Sequence, residues 1–390
     1  MTQPVHDDWR AGGFGLYLHW PFCAAKCPYC DFNSHVSDRI DERRWERAYL
    51  SEIDRIGSQL GPRVLNTLYF GGGTPSLMSP ELVGRVIEAV RATFPIANDL
   101  EITLEANPGS VEAGRFRGYR DSGVDRVSLG VQALDDDSLR RLGRIHSAGE
   151  AIQALEIANE TFDRVGFDLI YAREGQTLAQ WRAELTRALA LAQGHMSLYQ
   201  LTIEPGTAFA RREAAGGLRD LPDADTAAEF YDLTQELCDA AGLPAYEISN
   251  HAAKGQESRH NLVYWRYGDY AGIGPGAHGR LSCGSARLAT QTLTEPEQWL
   301  RQVELSGHGE TDRTALAPTD QAVEYLLLGL RICEGIDLKR FAGLAGETLP
   351  DSRIDPLTEI GVLDRDGASL RATRIGRRVL NSVIAALLAD

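Results

Sequence analysis

The sequence predicts an α/β protein, a partial (βα)6 barrel followed by a small α+β module with a winged-helix-like element order. Three observations predict it. Short runs rich in β-branched and aromatic residues alternate with longer segments of helical periodicity through the N-terminal half. Polar and glycine-rich groups recur just beyond those short runs. A polar stretch late in the chain then introduces a different order of elements.

Strands are expected over 14–19, 65–70, 100–105, 126–131, 164–171 and 196–203, each of the length of a buried strand. Helices are expected between them, over 40–60, 80–93, 111–123, 136–159 and 178–193. Pro80 directly behind Ser79 reads as an N-cap followed by a first-turn proline. Six strand–helix units in series require a parallel sheet with right-handed crossovers, and six rather than eight leave the barrel incomplete. A helix over 224–241, a short strand over 245–249 and a helix near 295–305 follow. The polar run 306–319 reads as a boundary. The tail beyond it reads as helices over 320–333, 337–344 and 351–360, a hairpin over 362–372 and a helix over 375–388. The expected division is a barrel with its N-terminal cysteine motif over 1–250, a connecting segment over 251–310 and a C-terminal module over 311–390.

Three of the six cysteines, Cys23, Cys27 and Cys30, stand within eight residues. A 4Fe–4S cluster is usually held by four cysteine thiolates, so three leave one iron open to another ligand. A disulfide framework would want dispersed, paired cysteines in a secreted chain. Zinc would need a fourth ligand, for which His19 and His35 stand close by. The isolated Cys238, Cys283 and Cys333 read as small apolar core residues.

Composition narrows the function. The net charge of −15 is ill suited to tracking a phosphate backbone, which excludes nucleic-acid binding as the main role. Residues 1–13 are polar and show no signal-peptide core, and no run of 18 apolar residues offers a transmembrane segment. Clustered thiols belong in a reducing compartment, so the expected location is the cytoplasm.

Polar groups fall at one end of the expected strands, where (βα) barrels assemble their sites. The cysteines follow the first strand and Gly71-Gly72-Gly73-Thr74-Pro75 the second. Glu105, Gln132 and Glu204 close the third, fourth and sixth, and Asp168 lies within the fifth. Residues without Cβ let a backbone approach a ligand closely, although such a run also suits a plain tight turn. A carboxylate in a buried strand needs a partner.

The stretch Tyr17-Leu-His-Trp-Pro-Phe-Cys23-Ala-Ala-Lys-Cys27-Pro-Tyr-Cys30-Asp-Phe32 resembles the radical S-adenosylmethionine (SAM) superfamily. Within it, the likeness is to the branch containing the oxygen-independent coproporphyrinogen III oxidases and the heme chaperones of the HemW family. It runs from about Gly15 to the C-terminus. The resemblance implies a partial (βα)6 radical SAM barrel with a 4Fe–4S cluster on Cys23, Cys27 and Cys30. It implies SAM contacts at Tyr17, Tyr29, Gly72, Gly73, Thr74, Glu105, Gln132, Arg144 and Asp168. By spacing alone, Arg144 is a solvated helix charge. One departure stands in Ala172-Arg173-Glu174-Gly175-Gln176, where relatives often carry Gly-Leu-Pro-Gly-Gln.

Three features separate chaperone from oxidase. The oxidase pattern places a further cysteine where this chain has Phe32, and oxidases carry a longer segment before the cluster motif. The third is Arg259-His260-Asn261-Leu-Val-Tyr264-Trp265, which resembles the His-Asn-x-x-Tyr-Trp pattern of the heme-binding branch. His260 is the leading heme ligand on that resemblance, and His278 a second candidate; a His-Asn pair among aromatics also suits a hydrogen-bonded barrel plug. Gly272, Gly274, Gly276 and Gly279 lack a dinucleotide-binding context and read as a tight loop.

The expected function is that of a heme chaperone passing heme to acceptor proteins, with the cluster and SAM as cofactors and a reductant such as flavodoxin or ferredoxin. The alternatives are a coproporphyrinogen-oxidase-like radical SAM oxidoreductase and a radical SAM methyltransferase.

Overall fold

The computed structural model describes residues 5–37, 39–109 and 113–389. Its large sheet contains, in chain order, β1 (Phe14–Trp20), β2 (Leu65–Gly72), β3 (Ile96–Ala106), β4 (Arg126–Gln132), β5 (Arg164–Tyr171), β6 (His195–Gln200), β7 (Asn250–Ala252), β8 (Asp269–Ile273), β9 (His278–Cys283), β10 (Ala286–Thr292) and β11 (Glu310–Ala315). Their spatial order is β11-β10-β9-β8-β1-β2-β3-β4-β5-β6-β7. From β8 through β6 every neighbouring pair is parallel, and the strands outside that run pair antiparallel. The six expected barrel strands are thus present and adjacent.

Helices α1 (Glu42–Leu60), α2 (Pro80–Thr93), α3 (Phe116–Asp121), α4 (Asp136–Arg141), α5 (Ala148–Thr161) and α6 (Leu178–Leu191) lie between these strands. The α1 helix buries Trp45, Tyr49, Ile53 and Ile56, and α2 buries Val83, Val86, Ile87 and Val90, the three-and-four spacing of an amphipathic face. Ser79 caps α2 as expected, its hydroxyl accepting from Leu82 N at 3.2 Å, with Pro80 in the first turn. Tyr49, Phe70, Phe116, Phe167 and Trp181 lie in the core between sheet and helices.

Several boundaries differ from expectation. The helix expected over 136–159 is two, α4 and α5, broken at Gly143, whose φ of 69° is left-handed. The helix expected over 111–123 is seen as α3; residues 111 and 112 lie outside the described residues, as do residues 1–4 of the polar N-terminus. The sixth strand ends at Gln200, so Glu204 stands in the loop beyond it. The strand expected over 245–249 is β7, a few residues later, antiparallel to β6. The polar run 306–319 contains β11, and β8 to β11 extend the barrel's own sheet across residues 251–315.

Between them stand α7 (Ala208–Ala214), α8 (Ala224–Ala240), α9 (Arg259–Trp265) and α10 (Pro296–Ser306). The C-terminal module follows as α11 (Pro318–Gly329), β12 (Ile336–Asp337), α12 (Leu338–Ala345), α13 (Asp351–Glu359), β13 (Leu363–Asp366), β14 (Ser369–Ala372), α14 (Arg374–Arg378) and α15 (Leu380–Leu388). Its three strands form a separate sheet in the order β12-β14-β13, and Leu326, Ile354, Leu370 and Leu387 anchor its own core.

A buried charge network joins the barrel to its extension. Asp269, at the start of β8, is fully buried and accepts from Arg63 and from the Ser282 hydroxyl at 3.0 Å, while Arg287 stands 3.6 Å away. Removing the carboxylate leaves two guanidinium groups in a buried site. We expect Asp269→Ala to cost about 3–5 kcal/mol of unfolding free energy. Urea unfolding followed by circular dichroism measures it, and a loss below about 1 kcal/mol, the value of an exposed pair, would show that the network is dispensable.

Candidate functional site

The site forms where β1 and β2 end. Gly73 N donates to Trp20 O at 2.7 Å and Thr74 N to Phe22 O at 2.8 Å, so the glycine segment runs against the chain that leads into Cys23. A Cβ on Gly73 would lie 2.6 Å from Phe22 O, and Gly72 has a φ of 115°. Glycine is required at both positions.

A cavity of about 310 Å³ opens there, lined by Cys23, Cys27, Tyr29, Cys30, Gly72, Gly73, Thr74, Glu105, Gln132, Arg144 and Asp168. Of the barrel positions singled out in the sequence, Tyr17, Gly71 and Glu204 are absent from this lining. Tyr17 stands behind it, stacked 6.1 Å from Tyr69 and bonded through its hydroxyl to His19 Nδ1 at 3.1 Å. It lines a neighbouring crevice of about 360 Å³ that shares Phe32, Gly72 and Glu105 with the first cavity. The two spaces therefore meet at those residues.

Burial governs the titratable groups. Glu105 accepts from Tyr69 Oη at 2.7 Å and Gly72 N at 3.2 Å, yet burial, with Asp168 nearby, pushes its pKa up to about 7. Burial raises Asp168 to about 6 against hydrogen bonds from Ser197 and Ser128. Burial likewise raises Tyr29 and the thiols of Cys23 and Cys30.

Arg144 is not a solvated charge. It donates to Asn107 Oδ1 at 2.6 Å, to Gly130 O at 3.0 Å and to Cys27 Sγ at 3.4 Å. Burial opposes its charge, but Tyr29 and Cys27 outweigh that and raise its pKa. Its Nε is buried without a hydrogen-bond partner among the described residues. Gln132 adopts a φ of 71°, a conformation costly for a residue with a side chain and retained where surrounding structure over-determines it.

Asn107 is a lining residue missed in the sequence. The signal was present, because positions 103, 105 and 107 share one face of an extended segment. Ser128, Tyr199 and Tyr69 were missed as well, the first two lining the cavity. Arg173, in the divergent loop, is buried against Glu184 at 2.6 Å and lines a separate space of about 570 Å³.

The donor set fits an iron–sulfur cluster. Three thiols line one cavity, and each thiolate of such a cluster holds a different iron. Among the described residues no three His, Cys, Asp or Glu side chains are gathered closely enough to hold a single metal ion. His19, one zinc ligand considered, has both ring nitrogens engaged, with Tyr17 Oη and with Asn33 O at 2.9 Å. His35 bonds Asn33 Oδ1 at 3.0 Å, and neither histidine lines the cysteine cavity. All six cysteines are free. Cys238 is buried as expected of an apolar residue, but Cys333 takes a polar role, donating to Ala245 O at 3.0 Å and accepting from Arg377.

His260 requires a correction. It is 1% exposed, on α9, with Nδ1 bonded to Thr67 Oγ1 at 2.7 Å and Nε2 to Tyr264 Oη at 2.8 Å. Its ring stacks on Tyr69 at 4.8 Å, its backbone N donates to Glu101 at 3.1 Å, and burial drives its pKa down to about 3. In this conformation neither nitrogen is available to iron. The His-Asn-x-x-Tyr-Trp segment packs as a plug.

Residues 17–187 match the Radical SAM superfamily and residues 316–379 the HemN C-terminal domain. The superfamily implies a 4Fe–4S cluster and SAM, which sets the class of the protein. The chain is 37% identical to "Heme chaperone HemW" of Escherichia coli (strain K12), over 96% of this chain and 98% of the relative. It is 38% identical to "Radical S-adenosyl methionine domain-containing protein 1, mitochondrial" of Bos taurus, over 99% and 89%. Among solved structures, coproporphyrinogen III oxidase (HemN) from Escherichia coli matches with a TM-score of 0.82, covering 99% of this chain and 92% of that one; at 22% identity the likeness is one of fold. Within the radical SAM class, the chain belongs to the HemW family.

Glu105 supplies a pH test. Its folded pKa of about 7 lies above the ordinary 4.5, so the folded state keeps a proton that the unfolded state loses. Its contribution is fully present below the ordinary value and is lost as pH rises through the folded one. In cofactor-free protein, Glu105→Gln should therefore gain stability relative to wild type between about pH 5 and pH 8. Paired urea melts at both ends measure the gain; a difference that does not change with pH would contradict the assignment.

Proposed function

We propose that this protein is a heme chaperone, holding a 4Fe–4S cluster on Cys23, Cys27 and Cys30 and SAM in the adjoining cavity, and passing heme to acceptor proteins. The observation that carries the reading is Phe32. It is 61% exposed at the junction of the cysteine-lined cavity and the aromatic crevice, where an oxidase of the resembling branch would carry another cysteine. An exposed aromatic there favours a flat apolar ligand. Near-full-length relatives bearing the heme-chaperone name support it.

When bound, the cluster supplies an electron to the SAM sulfonium. The chain's own residues position that ligand. Gly72 to Thr74 offer close backbone approach, and Glu105 and Asp168 are acceptors for an ammonium and ribose hydroxyls. Arg144, Gln132 and Tyr29 border the pocket, and Tyr17 backs it. A bound positive charge beside Glu105 and Asp168 favours their ionised forms. A reductant of the flavodoxin or ferredoxin type would charge the cluster, and the reading places the protein in a reducing compartment, the cytoplasm. No helix among the described residues is long and apolar enough to cross a membrane.

The test is an anaerobic heme titration of cluster-reconstituted protein, followed by mixing with a heme-free globin as acceptor. We expect saturable binding near one heme per chain and transfer to the globin. No stable heme, or decarboxylated product stoichiometric with cleaved SAM when coproporphyrinogen is supplied, would replace this reading with that of an oxidase. In parallel, Cys27→Ser should lose the visible absorption of the reconstituted cluster, and an unchanged spectrum would reject the ligand set.

A further inference from the structure

The crevice beside the cofactor cavity is lined by a histidine as well as by aromatic rings. His278, the first residue of β9, is exposed and lines the crevice with Tyr17, Phe32, Tyr264 and Tyr270. Its imidazole forms no hydrogen bond among the described residues, unlike those of His19 and His260 in the same region. Partial burial and then the Arg280 charge lower its pKa, which favours the neutral ring that a metal requires. Arg280 itself is held by Glu324 at 2.8 Å and does not compete for the ring.

The surroundings suit a planar macrocycle. Four aromatic rings line the crevice, and the exposed Phe32 belongs to the crevice and the cysteine-lined cavity alike. The loop beneath His278 is fixed by close packing. A Cβ on Gly274 would lie 2.4 Å from His19 O, and one on Gly272 would lie 2.2 Å from His278 O. Asn33 Nδ2 further ties this loop to the cysteine segment, donating to Pro275 O at 2.9 Å. The backbone carrying His278 is thus set against the end of β1.

We propose that His278 supplies the axial ligand to heme iron, with the porphyrin lying in the crevice against Phe32 and Tyr270. The assignment rests on the heme-binding reading above and places the iron outside the barrel plug that holds His260.

The test is a ferric heme titration of the full chain as wild type, His278→Ala and His260→Ala, followed by visible absorption and electron paramagnetic resonance. Thermal melts of each variant establish folding. We expect His278→Ala to melt like wild type, to bind heme at least about tenfold more weakly and to lose the histidine-ligated spectrum. Added imidazole should restore that spectrum. We expect folded His260→Ala to keep it. A His278→Ala protein with wild-type affinity and spectrum, or loss confined to folded His260→Ala, would overturn the assignment while leaving the chaperone reading intact. Failure of the wild type itself to bind heme would overturn both, and so locate the error in the function rather than in the ligand.

Discussion

The site depends on one backbone junction. Gly73 N to Trp20 O and Thr74 N to Phe22 O bring two loops into contact with no side chain between them. Everything in the cavity takes its position from that seam. Thr74 comes to lie beside the Cys23 thiol, Gly72 N meets the Glu105 carboxylate, and the cysteine loop is held at the mouth of β1. A methyl group at position 73 would collide with backbone, which cannot swing aside as a flexible side chain can. The glycines are therefore a packing requirement first, and close approach by a ligand follows from the same absence of Cβ.

That seam places ionisable groups where they would not choose to be charged. Glu105 and Asp168 are kept from water, which raises their pKa to about 7 and about 6, while Tyr29 and Cys27 raise that of Arg144 against its burial. Such a cavity is poorly satisfied by itself, and the unpaired Arg144 Nε shows the same deficit. Buried polar groups are ordinarily paired, so carboxyls lining a cavity away from water suit a donor-rich ligand.

Much of this was legible in the sequence because it rests on period and spacing. The six parallel strands, the cysteine triplet and the glycine segment all read from local pattern, and the residues expected from the resemblance line one cavity apart from Tyr17 and His260. What was not legible depends on contacts distant in sequence. The break between α4 and α5 turns on one left-handed glycine, and β8 to β11 join the barrel sheet by pairing β8 with β1 across some 250 residues of chain. Arg144 looked like a surface charge because its partners, Asn107 and Cys27, come from other segments.

The histidines show the limit most sharply. A His-Asn pair beside aromatics has the composition of a heme site and of a packed plug, and only the fate of the ring nitrogens separates them. At His260 both are used, so ligation through Nε2 would break the hydrogen bond to Tyr264 Oη, and ligation through Nδ1 the one to Thr67 Oγ1. Either break leaves a partner unsatisfied at about 1–3 kcal/mol, in a ring that is also stacked on Tyr69. Iron would have to offset all of this before contributing any affinity. At His278 no hydrogen bond among the described residues need be broken, and the residue is exposed. The difference in starting state, rather than any difference in chemistry between two imidazoles, decides which of them is poised to bind.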